Sequence, residues 1–299
     1  MRKGAIAIVI LSGVLLAQIS ITDTLGTRLL PECGLGITHL DNYLYIPAGK
    51  YGVRIYDIST PTTVSPAGEW KAGEDWESEI AVDAVAFVDL SGHKKLAVLY
   101  NSPYVMMRYL NLDTSYTSPS VDATVYPDTH MLKGISIYQS LGRLLVTARF
   151  HNVNQGVLYV YDVSAGSTPH LMHTWWADSG KVINDAVLLP SGEPCWIVVT
   201  LWDSTGTSGG SALQSFALYD DWSMEVGSTY ALPSGCVPHR IAPGWADASG
   251  DMGFYVALGE DGVGAYKLDR LTGAISEVNT YDDANMEDIV DVARWGNRL

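Results

Sequence analysis

Five residues of acid, base or imidazole type recur about one repeat apart: Asp83, Lys133, Asp185, His239 and Asp291. Brought to one point, they would place three carboxylates, an ammonium and an imidazole side by side. Such a set can bind a polar ligand. Its oxygen and nitrogen donors, Asp83, Asp185, His239 and Asp291, could also hold a hard divalent cation such as Ca or Mg, which wants several oxygen ligands. No cofactor is expected otherwise. Glu32, Cys33, Glu79, Asp128, His130, Asp178, Cys236, Asp282 and Glu287 fall in the segments leading to these positions. His39, His93, His151, His170 and His173 fall on strands or in the opposite loops and read as structural or exposed. No Gly-x-Ser-x-Gly elbow, phosphate loop or His-Glu-x-x-His pair occurs, so serine hydrolysis and nucleotide chemistry are not indicated.

Residues so far apart in sequence meet only if a repeat carries them. Five segments share one pattern, an apolar strand, a loop, a second apolar strand and a closing Asp. They run from Tyr43 to Asp57, Leu96 to Asp113, Leu144 to Asp162, Trp196 to Asp220 and Phe254 to Asp269. Their closing aspartates are 49 to 58 residues apart, a period that suits a four-stranded propeller blade. A strand precedes each pair (Gly36 to Leu40, Ala84 to Val88, Gly134 to Tyr138, Asp185 to Leu189, His239 to Pro243), and another follows (Val64 to Trp70, Val121 to Tyr126, Leu171 to Trp176, Glu225 to Tyr230, Ile275 to Tyr281). The fold class expected is therefore all-β, a β-propeller with five complete blades and a split, incomplete sixth. The run 288–299 would give that sixth blade its inner strand and Ile21 to Leu30 its outer one, with the chain truncated before the strands between them. In each blade the first strand lines the channel, which is what would gather the five polar residues at one mouth. The Asp closing each third strand, with a Ser two places on in Asp57-Ile58-Ser59 and Asp162-Val163-Ser164, is expected to cap a turn rather than bind a ligand. Tyr159, Trp196 and Tyr255 are expected to pack between blades.

Composition agrees with this class. Charged residues make up 17% of the 299, and hydrophobic ones 47%, enough for a large core built of strands and turns. The net charge of −15 repels phosphate backbones, so nucleic acid is set aside as a partner, and an unknown protein, glycan or small molecule is expected instead. Arg2 and Lys3 precede an apolar run from Ala5 to Ala17, the order of a secretory leader, which makes 1–17 a signal peptide or N-terminal anchor and 18–299 the propeller. The run is shorter than a membrane span, and no membrane insertion is expected after cleavage. An extracytoplasmic location follows: periplasm, cell surface or medium. Three cysteines, Cys33, Cys195 and Cys236, allow one bridge at most; Cys33 with Cys236 is the only pair on one face, and free buried thiols are the default.

At its repeats the chain resembles the LVIVD-repeat propellers, a family of mostly extracellular bacterial and archaeal proteins. The first unit carries the resemblance through Tyr45, Gly52, Val53, Ile55, Asp57, Ser59 and Pro61. The third carries it through Gly156, Val157, Val160, Asp162, Ser164 and Pro169. The fifth, from Ala265 to Ile275, is similar instead to YVTN or lactonase-type propellers. The resemblance implies fold and location and brings no catalytic set with it. Two functions are therefore expected: a secreted or cell-surface binding or scaffold module without catalysis, and as the alternative a propeller hydrolase or lactonase-like enzyme with a divalent cation at the channel mouth.

Overall fold

The computed structural model describes residues 36–60, 63–71, 80–102, 104–127, 132–150, 154–164, 166, 168–205, 210–282 and 288–292. Alternating and continuous apolar runs, separated by Gly-containing turns, make these residues strands. Blade 1 consists of β1 (Thr38–Leu40), β2 (Tyr43–Pro47), β3 (Val53–Thr60) and β4 (Thr63–Trp70). Blade 2 has β5 (Ile80–Val88), β6 (Lys94–Ser102), β7 (Tyr104–Asn111) and β8 (Ser120–Val125). Blade 3 has β9 (Leu132–Ser140), β10 (Arg143–Phe150), β11 (Gln155–Asp162) and β12 (His170–Trp176). Blade 4 has β13 (Lys181–Leu189), β14 (Cys195–Asp203), β15 (Ala212–Leu218) and β16 (Met224–Ala231). Blade 5 has β17 (Ile241–Ala246), β18 (Met252–Ala257), β19 (Val263–Leu268) and β20 (Ile275–Tyr281). Each is an antiparallel four-stranded sheet paired in chain order, as the repeat predicts.

The core lies between the blades. One buried cluster joins Tyr45 and Ile55 of blade 1 to Leu96 and Tyr100 of blade 2. A second joins Tyr109 to Val146 and Tyr159 across blades 2 and 3, a third Val160 to Ile197 and Phe216 across blades 3 and 4, and a fourth Trp196 to Phe254 and Tyr266 across blades 4 and 5. Middle strands β10, β11, β14 and β15 are buried along almost their whole length, whereas the outer β16 and β20 are largely exposed. Burial on both faces is why the middle strands read as continuous apolar runs. Tyr159 and Trp196 pack between blades as expected, but Tyr255 packs on Trp245 of its own blade, with ring centroids 5.3 Å apart.

The closing aspartates are turn caps in three blades. Asp57 accepts the Ser59 N–H at 2.7 Å, Asp162 that of Ser164 at 2.8 Å, and Asp269 those of Leu271 and Thr272 at 2.9 Å. Blade 2 departs, with Asp113 accepting the Lys94 N–H. In blade 4 the cap is Asp221, on Ser223, which leaves Asp220 to pair with Arg143.

Of the run 288–299, expected to begin a sixth blade, the described part is 288–292. Ile289 makes a two-hydrogen-bond bridge to Gly259, the same bridge by which Ala81 at the head of β5 meets Gly49. Ile21 to Leu30, the leader and Cys33 lie outside the described residues. Cys195 and Cys236 are buried free thiols.

Candidate functional site

The inner strands of blades 2, 3 and 4 each contain a β-bulge, at Val82, Ile135 and Asn184. The residue after each bulge is the one aimed at the channel: Asp83, Ser136 and Asp185. A bulge resets the alternation of faces by one residue. Blade 5 puts Arg240 in this place, its carbonyl accepting the Ala257 N–H just ahead of the Ile241–Val256 pair. In blade 1 the place falls to Gly36, where a Cβ would lie 1.6 Å from an Asp83 oxygen. Asp291 continues the series, two residues past the Ile289 bridge, just as Asp83 is two past Ala81. The ring thus reads Gly36, Asp83, Ser136, Asp185, Arg240, Asp291, with a carboxylate at every second position.

Those carboxylates do one job. Asp83 takes the N–H of Ala84 on one oxygen, at 2.9 Å, and on the other that of Ile137 in the next blade, at 3.0 Å. Asp185 repeats this with Ala186 at 2.9 Å and Ile241 at 3.0 Å. Each therefore pins two neighbouring inner strands together. Asp291 caps Val292 in the same way, at 2.8 Å. Arg240 crosses the ring to neutralise them, with Nη1 2.9 Å from Asp83 and 3.5 Å from Asp185.

Burial pushes the Asp185 carboxyl up from its ordinary value, and Arg240 only partly restores it. Burial also works against the charged guanidinium of Arg240, but Asp83 and Asp185 outweigh it and hold its pKa above the ordinary value. Asp291 is raised to about 6, first by desolvation and against the pull of Arg240. This makes it a carboxyl that changes charge near neutrality.

His239 is one residue out of the ring. Its Nε2 lies 3.8 Å from an Asp288 oxygen, and both atoms stand over Gly259, where a Cβ would be 3.0 Å from that oxygen and 3.6 Å from Nε2. A left-handed φ of 66° favours glycine at this position. Burial lowers the His239 pKa, with Asp288 opposing, so the imidazole is neutral at pH 7. Lys133 lies three residues before the ring position of its blade, with its backbone paired to Arg149.

Of the five residues expected at the mouth, Asp83, Asp185 and Asp291 do share a ring. His239 and Lys133 miss it: His239 lies one residue before the ring position, and Lys133 three residues before Ser136, ahead of the Ile135 bulge. Arg240 was overlooked although it adjoins His239. The signal for it was a lone basic residue at the repeat position otherwise held by Asp83 and Asp185.

The donor set does not fit a divalent cation. Both oxygens of Asp83 and of Asp185 already accept N–H groups, and a guanidinium occupies the space between them. Among the described residues no three His, Cys, Asp or Glu side chains converge to hold a metal ion.

No known family profile matches the chain. No curated protein matches it either. Solved structures similar in fold include the periplasmic gluconolactonase of Pseudomonas aeruginosa, at 14% identity and a TM-score of 0.58 over 84% of this chain and 73% of that one. A candidate 6-phosphogluconolactonase from Bacteroides uniformis is similar at 12% identity and a TM-score of 0.57, over 85% and 70%. The Dos1 propeller is similar at 14% identity and a TM-score of 0.56, over 84% and 60%. At these identities the likeness establishes that the chain is a β-propeller.

Proposed function

We propose that this propeller is a lactonase-like hydrolase acting outside the cytoplasm. The observation that carries the reading is the convergence of the His239 imidazole and the Asp288 carboxylate over Gly259, beside the Arg240 ring. Ring opening of a lactone needs a base for water and a proton for the leaving oxygen. His239, neutral at pH 7, takes a proton from water as the water oxygen bonds to the lactone carbonyl carbon. Asp288 stabilises the imidazolium so formed. When the tetrahedral adduct collapses, the ring C–O bond breaks and the imidazolium returns its proton to that oxygen, leaving a hydroxy acid. No metal enters these steps. The fold of the gluconolactonase neighbours supports the reading, and the basic-then-apolar leader supports export.

The test is proton release from glucono-δ-lactone, measured against its spontaneous hydrolysis. The wild type should exceed the spontaneous rate, and His239→Ala should lose about 10²- to 10⁴-fold while keeping its strand circular dichroism. A wild type no faster than buffer, or a His239→Ala variant as active as wild type, overturns the reading. The second reading, a binding or scaffold propeller without catalysis, is favoured by one observation: Asp83 and Asp185 are committed to backbone N–H groups and Arg240. It becomes the first choice if no turnover is found.

A further inference from the structure

Resting on the lactonase reading, we infer that this site selects uncharged lactones and rejects phosphorylated ones. The face of blade 5 that holds His239 carries Glu260 and Asp261 in the turn after β18 and Asp282 after β20, and next to it stand Asp288, 3.8 Å from His239, and Asp291. Against these acids the described residues of this part of the face offer one cation, Arg240, and its charge is already met by Asp83 at 2.9 Å and Asp185 at 3.5 Å. The rim acids are the ones a ligand meets first: the Asp288 side chain is 59% exposed. The cations at strand ends on the same face, Lys50, Lys71, Lys133, Arg149 and Lys181, belong to blades 1, 3 and 4.

A phosphate monoester brings nearly two negative charges into this field. Each pair of like unit charges about 7 Å apart in water costs roughly a threefold loss of affinity. Two rim carboxylates facing a dianion make four such pairs, so discrimination of at least tenfold is expected even after screening. A neutral sugar lactone meets no such penalty, and its hydroxyls can donate to the same carboxylates. The acids that repel one ligand class therefore orient the other.

Two measurements separate this inference from the reading beneath it. The first compares hydrolysis of glucono-δ-lactone with that of its 6-phosphate. The second compares equilibrium binding of gluconolactam with that of its 6-phosphate, ligands that report charge preference whether or not turnover occurs. The expected result is binding of the neutral lactam at least tenfold tighter at 20 mM ionic strength. The gap should narrow as salt shortens the Debye length toward about 8 Å near 0.15 M, and narrow about threefold to tenfold further in Asp288→Asn. Equal or tighter binding of the phosphorylated lactam overturns the inference and leaves the hydrolase reading standing. Failure of both lactams to bind overturns it too. Hydrolysis of neither lactone, with the neutral lactam still preferred, overturns the reading and leaves the charge selectivity standing.

Discussion

Arg240 and Asp83 are 157 residues apart and yet pair at 2.9 Å, because one heads the inner strand of blade 5 and the other follows the bulge of blade 2. The contact spans the channel, so it ties non-adjacent blades together. Asp83 and Asp185 are 2% and 5% exposed, and removing Arg240 would strand both in a poorly solvated ring. Breaking a buried pair on one side costs about 3–5 kcal/mol. Arg240→Leu is therefore expected to lose about that much stability in urea unfolding. The triple variant Arg240→Leu, Asp83→Asn, Asp185→Asn should recover part of it, since it leaves no buried charge, although each amide can accept only one of the two N–H groups its carboxylate held. A single Arg240→Leu variant as stable as wild type would show that solvent reaches the ring.

Asp291 supplies a pH-dependent prediction. Its pKa rises from an ordinary carboxyl value to about 6 in the folded state. A raised carboxyl stabilises the fold below its unfolded pKa, and that contribution is lost as pH climbs through the folded value. Asp291→Asn should therefore match wild type near pH 4, where both side chains are neutral, and melt higher at pH 7 to 8. His239 titrates in the opposite sense for stability: its lowered pKa means that acid below about 6.5 favours the unfolded chain. Comparing Asp291→Asn with His239→Gln across pH 4 to 8 assigns the two slopes, and a flat difference between Asp291→Asn and wild type would refute the assignment to Asp291.

Much of this architecture was legible in the sequence, and the part that was not has a definite cause. The pair of strands from Tyr43 to Asp57 is β2 and β3 nearly to the residue, because an apolar run bounded by Gly49 and Gly52 admits one hairpin. The inner strands β5, β9 and β13 begin two to four residues earlier than their apolar runs suggest. Their first residues mix apolar ones, Ile80, Leu132 and Val182, with Lys133 and Lys181, so hydrophobicity does not mark where they start, and pairing with the neighbouring strand does. The bulges at Ile135 and Asn184 leave no compositional trace, and so the ring position could be placed only to within one to three residues. Asp83, Asp185 and Asp291 fell on it, whereas His239 and Lys133 did not.

The joint between blades 4 and 5 turns on one glycine. Gly273 has a φ of +69°, and a Cβ there would lie 2.1 Å from the Trp196 ring. Its carbonyl accepts the hydroxyls of Ser215 at 2.8 Å and Ser228 at 2.6 Å, while Trp196 donates to the Arg270 carbonyl at 2.8 Å. Gly273→Ala combines left-handed strain of about 1–2 kcal/mol with overpacking of about 1–3 kcal/mol. Lowered thermal stability with altered Trp fluorescence is expected; an unchanged melting temperature would mean that the Trp196 ring moves aside at no cost.

Chelation separates two accounts of the mouth. If a divalent cation bridged Asp83, Asp185, His239 and Asp291, EDTA would strip it, lower the melting temperature and abolish turnover, and Ca or Mg would restore both. The geometry argues otherwise. Asp83 and Asp185 give each oxygen to an N–H donor, and Arg240 brings a fixed positive charge to the place a metal would need. A second cation there would face guanidinium repulsion with few lone pairs left to offset it. EDTA treatment followed by gel filtration should therefore change neither the melting temperature nor the rate of lactone opening, and elemental analysis of the untreated protein should find less than one Ca or Mg per chain. A stoichiometric ion, with stability that falls on its removal and returns on its addition, would require Arg240 to swing out of the ring. Arg240→Leu would then bind that ion more tightly than wild type, which calorimetry can read directly.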